Sequence, residues 1–565
     1  MFRKLHLILA VALITILYSC NSVPDNARYI PKNAIAVLGI NTKEIGKKIA
    51  WNLITGSKLF DDIRKNQGTT LNPEEMGIEL MGTTYVYIKG DERFTNGNKI
   101  TCLVPLDDAA KWTAFVKKTF PEAAIKEANK RQSAKLAEGM YASWNDELLV
   151  IMNAIHIPQD YTTLTTTAGE GDSDTMMIEP VPPTLEADET QIAAEMENAF
   201  TLTKENALTE NKNFTELEGN GHDITLWINY DEIMASYGNE GMTSITGMSL
   251  SNVLWKDAAF TAGFDFEDGR IAGDMHYYSP EEMKEVAKAM GKDNIDKEML
   301  QMLPLKDPDF LFAWHLAPAG LKGTLEKLGV LGFINLALVG QNLNLDYILD
   351  AFTGDMAACV TDFKLVQQQA QPLVEVDADS VMINVSDSKY ASDGTLVYIL
   401  KINKKENLDK LLAMSVANGT IQSAGAGAYT VGPSLSLMVT DKYMGLSNKK
   451  DKLQAVMQGQ YSKDKAHEVI SKSQGHPFTM FVNAASMIGA ANPAMTSQRD
   501  SAMLAESRKL ITNASFSGGE FKGDAFRYNM SINFTNKEEN SLLQLMDFAI
   551  RMGDAVKQTT LATTR

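Results

Sequence analysis

The stretch GHDITLWINYDEIM, beginning at Gly221, returns as GHPFTMFVNAASMI at Gly475, 254 positions later. Ile224, Leu226 and Ile228 match Phe478, Met480 and Val482 at period two, while Thr225, Trp227 and Asn229 match Thr479, Phe481 and Asn483. Such alternation makes a strand with one strongly apolar face. Asn229 then sits where a helix N-cap belongs, with Glu232 three residues on, as in a capping box. A chain that writes strand, cap and helix twice is expected to fold twice in related ways.

The correspondence extends through both halves in the same order. AIAVLGINTKEIGKKI, with Asn41 and Glu44 in the capping positions, answers DFLFAWHLAPAGLKGTL, where Pro318 suits the first helical position. In KITCLVPLDDAAKWTAFVKKTF, Trp112, Phe115, Val116 and Phe120 repeat at helical spacing, and Leu408, Leu411, Leu412 and Val416 do the same in the second half. Each half ends in a strand, a glycine turn, a second strand and a helix. Asp268-Gly269 forms the first turn. Ser279, Pro280 and Glu282 are placed to cap the first helix, and Thr535 and Glu538 the second.

Strands and helices alternate without the βαβ rhythm of a parallel sheet. The expected fold is α+β: two tandem pseudo-repeats, each a mainly antiparallel sheet with helices packed on one face. Residues 31–300 form the first repeat and 301–565 the second. An acidic, proline-bearing insertion at about 165–190 is expected to be a solvated loop. Helical pieces are expected near Gln191–Phe200 and Lys452–Met457. Alignment of the halves sets Cys102 opposite Tyr398 and Cys359 opposite Tyr87, so the cysteines occupy different strands and no bond between them is expected.

The N-terminus reads MFRKLHLILAVALITILYSC. A basic head is followed by an apolar run shorter than the roughly 20 residues a membrane span needs, as in a secretory signal. Residues 1–19 are read as a lipoprotein signal peptide that leaves Cys20 to be acylated, and residues 20–30 as the tether behind it. No acidic run follows Cys20, which favours a periplasm-facing position at the outer membrane. The formal charge of −18 becomes about −20 once Arg3 and Lys4 are removed. That balance excludes a general electrostatic footprint for nucleic acid or for anionic membrane surfaces.

The lipobox, the opening YIPKNAIAVLGIN and the duplicated α+β pattern together resemble a family of Bacteroidetes-type envelope lipoproteins built on a domain of unknown function. The resemblance covers nearly the whole mature chain. It implies no established activity, cofactor or catalytic residue.

Motifs for chemistry are sparse. His222 and His476 follow glycine at equivalent strand starts, without Cys or His at ligand spacing, and read as turn residues. His276 and His315 are single strand histidines, with Asp274 on the same face as His276. GMSLS at Gly247 lacks the last glycine of a nucleophile elbow, and Ser-x-x-Lys at Ser386, Ser447 and Ser462 lacks its companion motifs. AGAGAYTVG at Ala424 lacks phosphate-loop spacing, and the acidic triplets at Asp172 and Asp377 continue into no EF-hand. Glu74-Glu75, Asp107-Asp108 and Glu281-Glu282 stand near helix starts, where acids are favoured. Trp112, Trp227, Trp255 and Trp314 lie on apolar faces and read as core, while Trp51 and Trp144 have no assigned place.

No catalytic, cofactor or metal residue is therefore assigned, and Cys20 is the one modification site. The sequence points to a membrane-anchored, non-catalytic binding or scaffold lipoprotein of the cell envelope, with a protein, glycan or apolar molecule as ligand. The alternative is an envelope hydrolase whose site is assembled from distant residues.

Overall fold

The computed structural model describes residues 23–50, 75–89, 98–155, 189–236, 253–367, 372–377, 380–385, 390–461, 468–491 and 498–563. Residues 1–19, Cys20, Trp51, Glu74, Asp172, most of the acidic insertion and the motifs at Gly247, Ser386 and Ser462 lie outside the described residues. The side chain of Asp377 does too. The chain forms two compact units, one of Met1–Lys47 with Gln67–Asn239 and one of Lys48–Asn66 with Glu240–Arg565.

The described residues of the first unit form β1 (Ala34–Asn41), β2 (Thr83–Lys89), β3 (Asn98–Pro105), β4 (Lys126–Ala128), β5 (Arg131–Ala137), β6 (Met140–Trp144), β7 (Leu148–Ile155) and β8 (Ile224–Asn229). They pair antiparallel in the order β8-β1-β2-β3-β7-β6-β5-β4. The helix Ala109–Thr119 is capped by Asp108 and buries Trp112 and Val116 against Trp144 and Leu149. Phe214, from the helix Lys212–Gly219, meets Trp227 edge to face.

The second unit contains β9 (Ala259–Glu267), β10 (Arg270–Tyr278), β11 (Phe310–His315), β12 (Phe352–Gln367), β13 (Pro372–Asp377), β14 (Ser380–Val385), β15 (Tyr390–Ile402), β16 (Ile421–Gly425), β17 (Ala428–Val431), β18 (Leu435–Val439), β19 (Tyr443–Ser447), β20 (Phe478–Val482), β21 (Ile511–Lys522) and β22 (Ala525–Phe534). β13 and β14 form a ladder of their own. The others pair antiparallel in the order β9-β10-β22-β21-β20-β11-β12-β15-β19-β18-β17-β16. The β9–β10 hairpin groups with this unit because β10 bonds along its length to β22, whereas the sequence sets the junction of the repeats at 300.

From β20 to β16 the pairing follows the same sequence of strands as β8 to β4 in the first unit. The cross-strand partners run in parallel as well. Trp227, Val37, Tyr87, Thr101 and Met152 stand abreast in the first unit. Phe481, Leu311, Cys359, Val397 and Ser447 stand abreast in the second. The core of the second unit gathers on that row, where Met299, Leu300, Val456 and Val469 cover Leu311, Cys359 and Val397.

The repeated cap is present three times. The N–H groups of Glu44, Glu232 and Ser486 donate to the side-chain oxygens of Asn41, Asn229 and Asn483 at 3.1, 3.3 and 3.1 Å. Two expected caps are not. The N–H of Ser279, just past β10, is taken by the Asp524 carbonyl and not by Glu282, and a 3-10 turn at Glu281–Met283 precedes the helix Lys284–Met290. Thr535 is likewise held to the Leu510 carbonyl, and the last helix waits until Ser541, with Asn540 accepting from the Leu542 N–H.

Candidate functional site

β21 and β22 alternate small polar residues with aromatic and aliphatic ones. Paired antiparallel, they set Ser515 beside Ser531 and Ser517 beside Asn529. β20 extends the same face with Thr479 and Phe481, and β10 with Ala272 and Arg270. The residues between them, Phe478, Phe516 and Tyr528, turn to the opposite face and pack as an aromatic cluster, with Phe516 and Tyr528 stacked at 5.1 Å. One stretch of sheet thus carries an aromatic side and a hydroxyl- and amide-bearing side.

The polar side forms the floor of a cavity of about 560 Å³. The helix Glu468–Ser473 bounds it through Val469 and Ser473. Ser473 is spent within the wall, donating to the Val469 carbonyl at 2.6 Å and accepting from Thr479 at 3.3 Å. Among the described residues, Ser515, Ser517 and Asn529 give their side chains to no other protein group, so their donors and acceptors are available to a ligand. The volume lies within the range of small-molecule sites.

His476 stands at the rim. Gly475, with φ of 87°, turns the chain so that His476 precedes β20, and its Nδ1 meets Glu520 Oε1 at 2.6 Å. Glu520 reaches it through a bulge. The register of β21 shifts between Gly518 and Glu520, and both Gly518 and Gly519 take positive φ, at 142° and 94°. The bulge moves residue 520 to the face that residue 519 would otherwise occupy. His476 is therefore a paired cavity residue and not the bare turn residue its sequence context suggested. No serine hydroxyl bonds it among the described residues.

Two other described histidines, His276 and His315, are tied into structure. His276 is buried, with Nε2 3.3 Å from Asp274 and Nδ1 3.4 Å from the Tyr278 hydroxyl. His315 Nδ1 lies 3.0 Å from Asp355, which also accepts from Thr353 at 2.7 Å and from the Asp296 N–H at 3.0 Å. Burial alone would raise the Asp355 carboxyl, but the bonds from His315 and Thr353 hold it below the usual range. This network ties β11 to β12 and to the helix Lys297–Met302. His222 belongs to the first unit and His476 to the second.

Ser447 is fully buried and spends its hydroxyl on the Leu396 carbonyl at 2.5 Å, which accounts for its motif without chemistry. The glycine run at Ala424 is the hairpin β16–β17. Trp144 is buried and donates to Thr113 and Gln132 at 3.0 Å. Cys102 and Cys359 are both free thiols. Among the described residues no group of three or more His, Cys, Asp or Glu could hold a metal ion, and no helix is long and apolar enough to cross a membrane.

A second cleft, of about 720 Å³ and lined by charged residues, opens in the first unit. Glu218 lies in its wall, accepting from the Tyr85 and Thr225 hydroxyls at 2.5 and 2.7 Å. Burial, foremost, pushes the Glu218 carboxyl above its ordinary range, and it lifts the Tyr85 hydroxyl as well.

No family model and no curated protein matches the chain. Among solved structures it is similar to crystal forms IV, I and III of TP0453, at 9%, 10% and 8% identity. Each covers 46% of this chain and 81%, 79% and 80% of TP0453, with a TM-score of 0.23 in every case.

Proposed function

We propose that the chain is a membrane-anchored, non-catalytic binding lipoprotein of the bacterial cell envelope, held by an acylated Cys20 and facing the periplasm from the outer membrane. We place its two strand arrays as descendants of one internal duplication, in the family of Bacteroidetes-type lipoproteins that the sequence resembles. The ligand cavity is the one beneath His476, and its ligand is a neutral, hydroxyl-rich molecule of the glycan class. The observation that carries this reading is the unspent side chains of Ser515, Ser517 and Asn529 on a cavity floor. Neutral donors and acceptors match sugar hydroxyls without demanding a charge, and Phe481 offers an apolar edge to a sugar face.

The hydrolase reading draws on the His476–Glu520 pair, which has the geometry of an oriented base. Among the described residues no serine bonds His476, and Ser473 donates its hydroxyl to the Val469 carbonyl.

The test is calorimetric titration of the Cys20→Ser form with neutral malto-, cello- and chito-oligosaccharides, followed by chromatography of the recovered sugar. Saturable binding that Ser531→Trp abolishes, with the sugar returned intact, supports the proposal. Shortened sugar moves the assignment to the hydrolase. No binding by any of the three series overturns the glycan assignment. Mass measurement of the envelope-extracted protein reads the acyl chains on Cys20 directly.

A further inference from the structure

A groove of about 400 Å³ in the first unit carries charge opposite in sign to that of the whole protein. It runs between the segment leading into β1, the ends of β2 and β3 that hold Lys89 and Lys99, and the helix Glu189–Thr201. Lys32, Lys89 and Lys99 line it, against a single carboxylate, Glu195. Lys99 has its side chain 12% exposed and spends its ammonium on Glu195. Lys32 and Lys89 pair with no acid among the described residues. Glu232 senses the charge of Lys32 without bonding to it.

In a chain of formal charge −18, three ammonium groups against one carboxylate give the lining of this groove a local excess of positive charge. Asn33, Asn198 and Thr101 add neutral polar groups to the same walls. Lysine ammonium groups with amide donors around them are suited to an oxyanion, whose several oxygens take several charge-assisted bonds.

We infer that this groove binds an anion of the phosphate class, either free phosphate or the phosphate of a lipid headgroup. Lys32 and Lys89 neutralise the anion, and Lys99, fixed by Glu195, shapes the wall between them. The lipid source rests on the anchoring proposed above. Cys20 stands nine residues before Tyr29, which lines the groove. A chain of that length spans at most roughly 30 Å, so an acylated cysteine keeps the groove near the membrane surface.

The test uses the Cys20→Ser form, so that any membrane binding comes from the groove and not from the anchor. Inorganic phosphate is titrated calorimetrically, and flotation is measured with vesicles of phosphatidylcholine alone and of phosphatidylcholine with phosphatidylglycerol. Removing each lysine is expected to weaken binding about tenfold. Lys32→Gln with Lys89→Gln should therefore abolish it in the working range, while Lys117→Gln, on the helix Ala109–Thr119, leaves it unchanged. Saturable phosphate binding assigns the free anion. Flotation that requires phosphatidylglycerol, without phosphate binding, assigns the headgroup. Absence of both, or binding that survives the double substitution in a protein of unchanged melting temperature, overturns the inference. Acylation is read separately by mass on the native protein, so a failed anchor and a failed groove are told apart.

Discussion

Glu520 meets His476 at 2.6 Å only because two glycines bulge the strand ahead of it. A Cβ at Gly518 would stand 2.2 Å from the Arg527 carbonyl oxygen, and its φ of 142° lies where L-residues are strained. Gly518→Ala is expected to cost about 1–3 kcal/mol, read as a lower urea midpoint. It should also withdraw Glu520 from His476 and weaken binding in the cavity. Glu520→Gln, which leaves the backbone alone, should spare stability and isolate the effect on binding. An unchanged midpoint in Gly518→Ala would show that the bulge is not rigid.

Asp355 receives bonds on both carboxylate oxygens, and its titration sits below the ordinary aspartate range. A depressed carboxyl stabilises the fold above its unfolded pKa of about 3.9, and that contribution is lost as pH falls through the folded value. Asp355→Asn should cost about 1–3 kcal/mol at neutral pH. The gap between variant and parent should close as the pH is lowered through and below pH 4. Denaturant melts at a series of pH values measure it, and a gap independent of pH contradicts the assignment.

Glu218 has the opposite sign. Burial raises its carboxyl, so its contribution is fully present below the unfolded value of about 4.3 and is lost as pH rises through the folded value. Glu218→Gln removes that dependence. The stability of the parent relative to the variant should therefore be greatest in acid and should decline toward neutral pH. Melts of the two proteins between pH 4.5 and 7.5 decide it, and a constant difference rules the buried titration out.

The framework was written locally. Asparagine caps at Asn41, Asn229 and Asn483, the turn at Gly269 and the helix around Trp112 each depend on neighbours in sequence, and each is present. The alignment that set Cys102 against Tyr398 and Cys359 against Tyr87 also agrees with the ladders, where each pair holds the same position in its own array. What failed was settled by distant partners. Ser279 and Thr535 look like caps, but their N–H groups are claimed by carbonyls far along the chain. The cavity was missed for a related reason. Asn513, Ser515, Ser517, Asn529, Ser531 and Asn533 alternate plainly in the sequence, yet an alternating polar face ordinarily reads as solvated surface. Only pairing of these strands beneath the helix Glu468–Ser473 makes that face a cavity floor. His476 could not be told from a turn residue without the bulge that brings Glu520 to it.

The two free thiols should be silent in the native protein. Burial pushes Cys102 up to about 11 and Cys359 up to about 12. At pH 8 roughly one thiol in a thousand, or fewer, is then the reactive thiolate. The Cys20→Ser form should react with Ellman's reagent only after denaturation, releasing two equivalents. Rapid labelling of the folded protein would show that the strands open easily at one of these positions.

Two leucines test where the stability of the second unit resides. Leu311 is fully buried beside Cys359 and Val397, whereas Leu336, in the helix Leu331–Val339, is 72% exposed. Phe333 and Val339 on the same helix are 48% and 63% exposed, so this helix gives its large side chains little contact with the core. Leu311→Ala removes packed methyl groups and leaves a cavity, at an expected cost of about 2–5 kcal/mol. Leu336→Ala removes no such packing and should shift stability by less than about 0.5 kcal/mol. Urea denaturation of both variants measures the contrast. A large loss in Leu336→Ala would mean that another surface covers the helix in solution, and the concentration dependence of that loss would show whether a second copy supplies it.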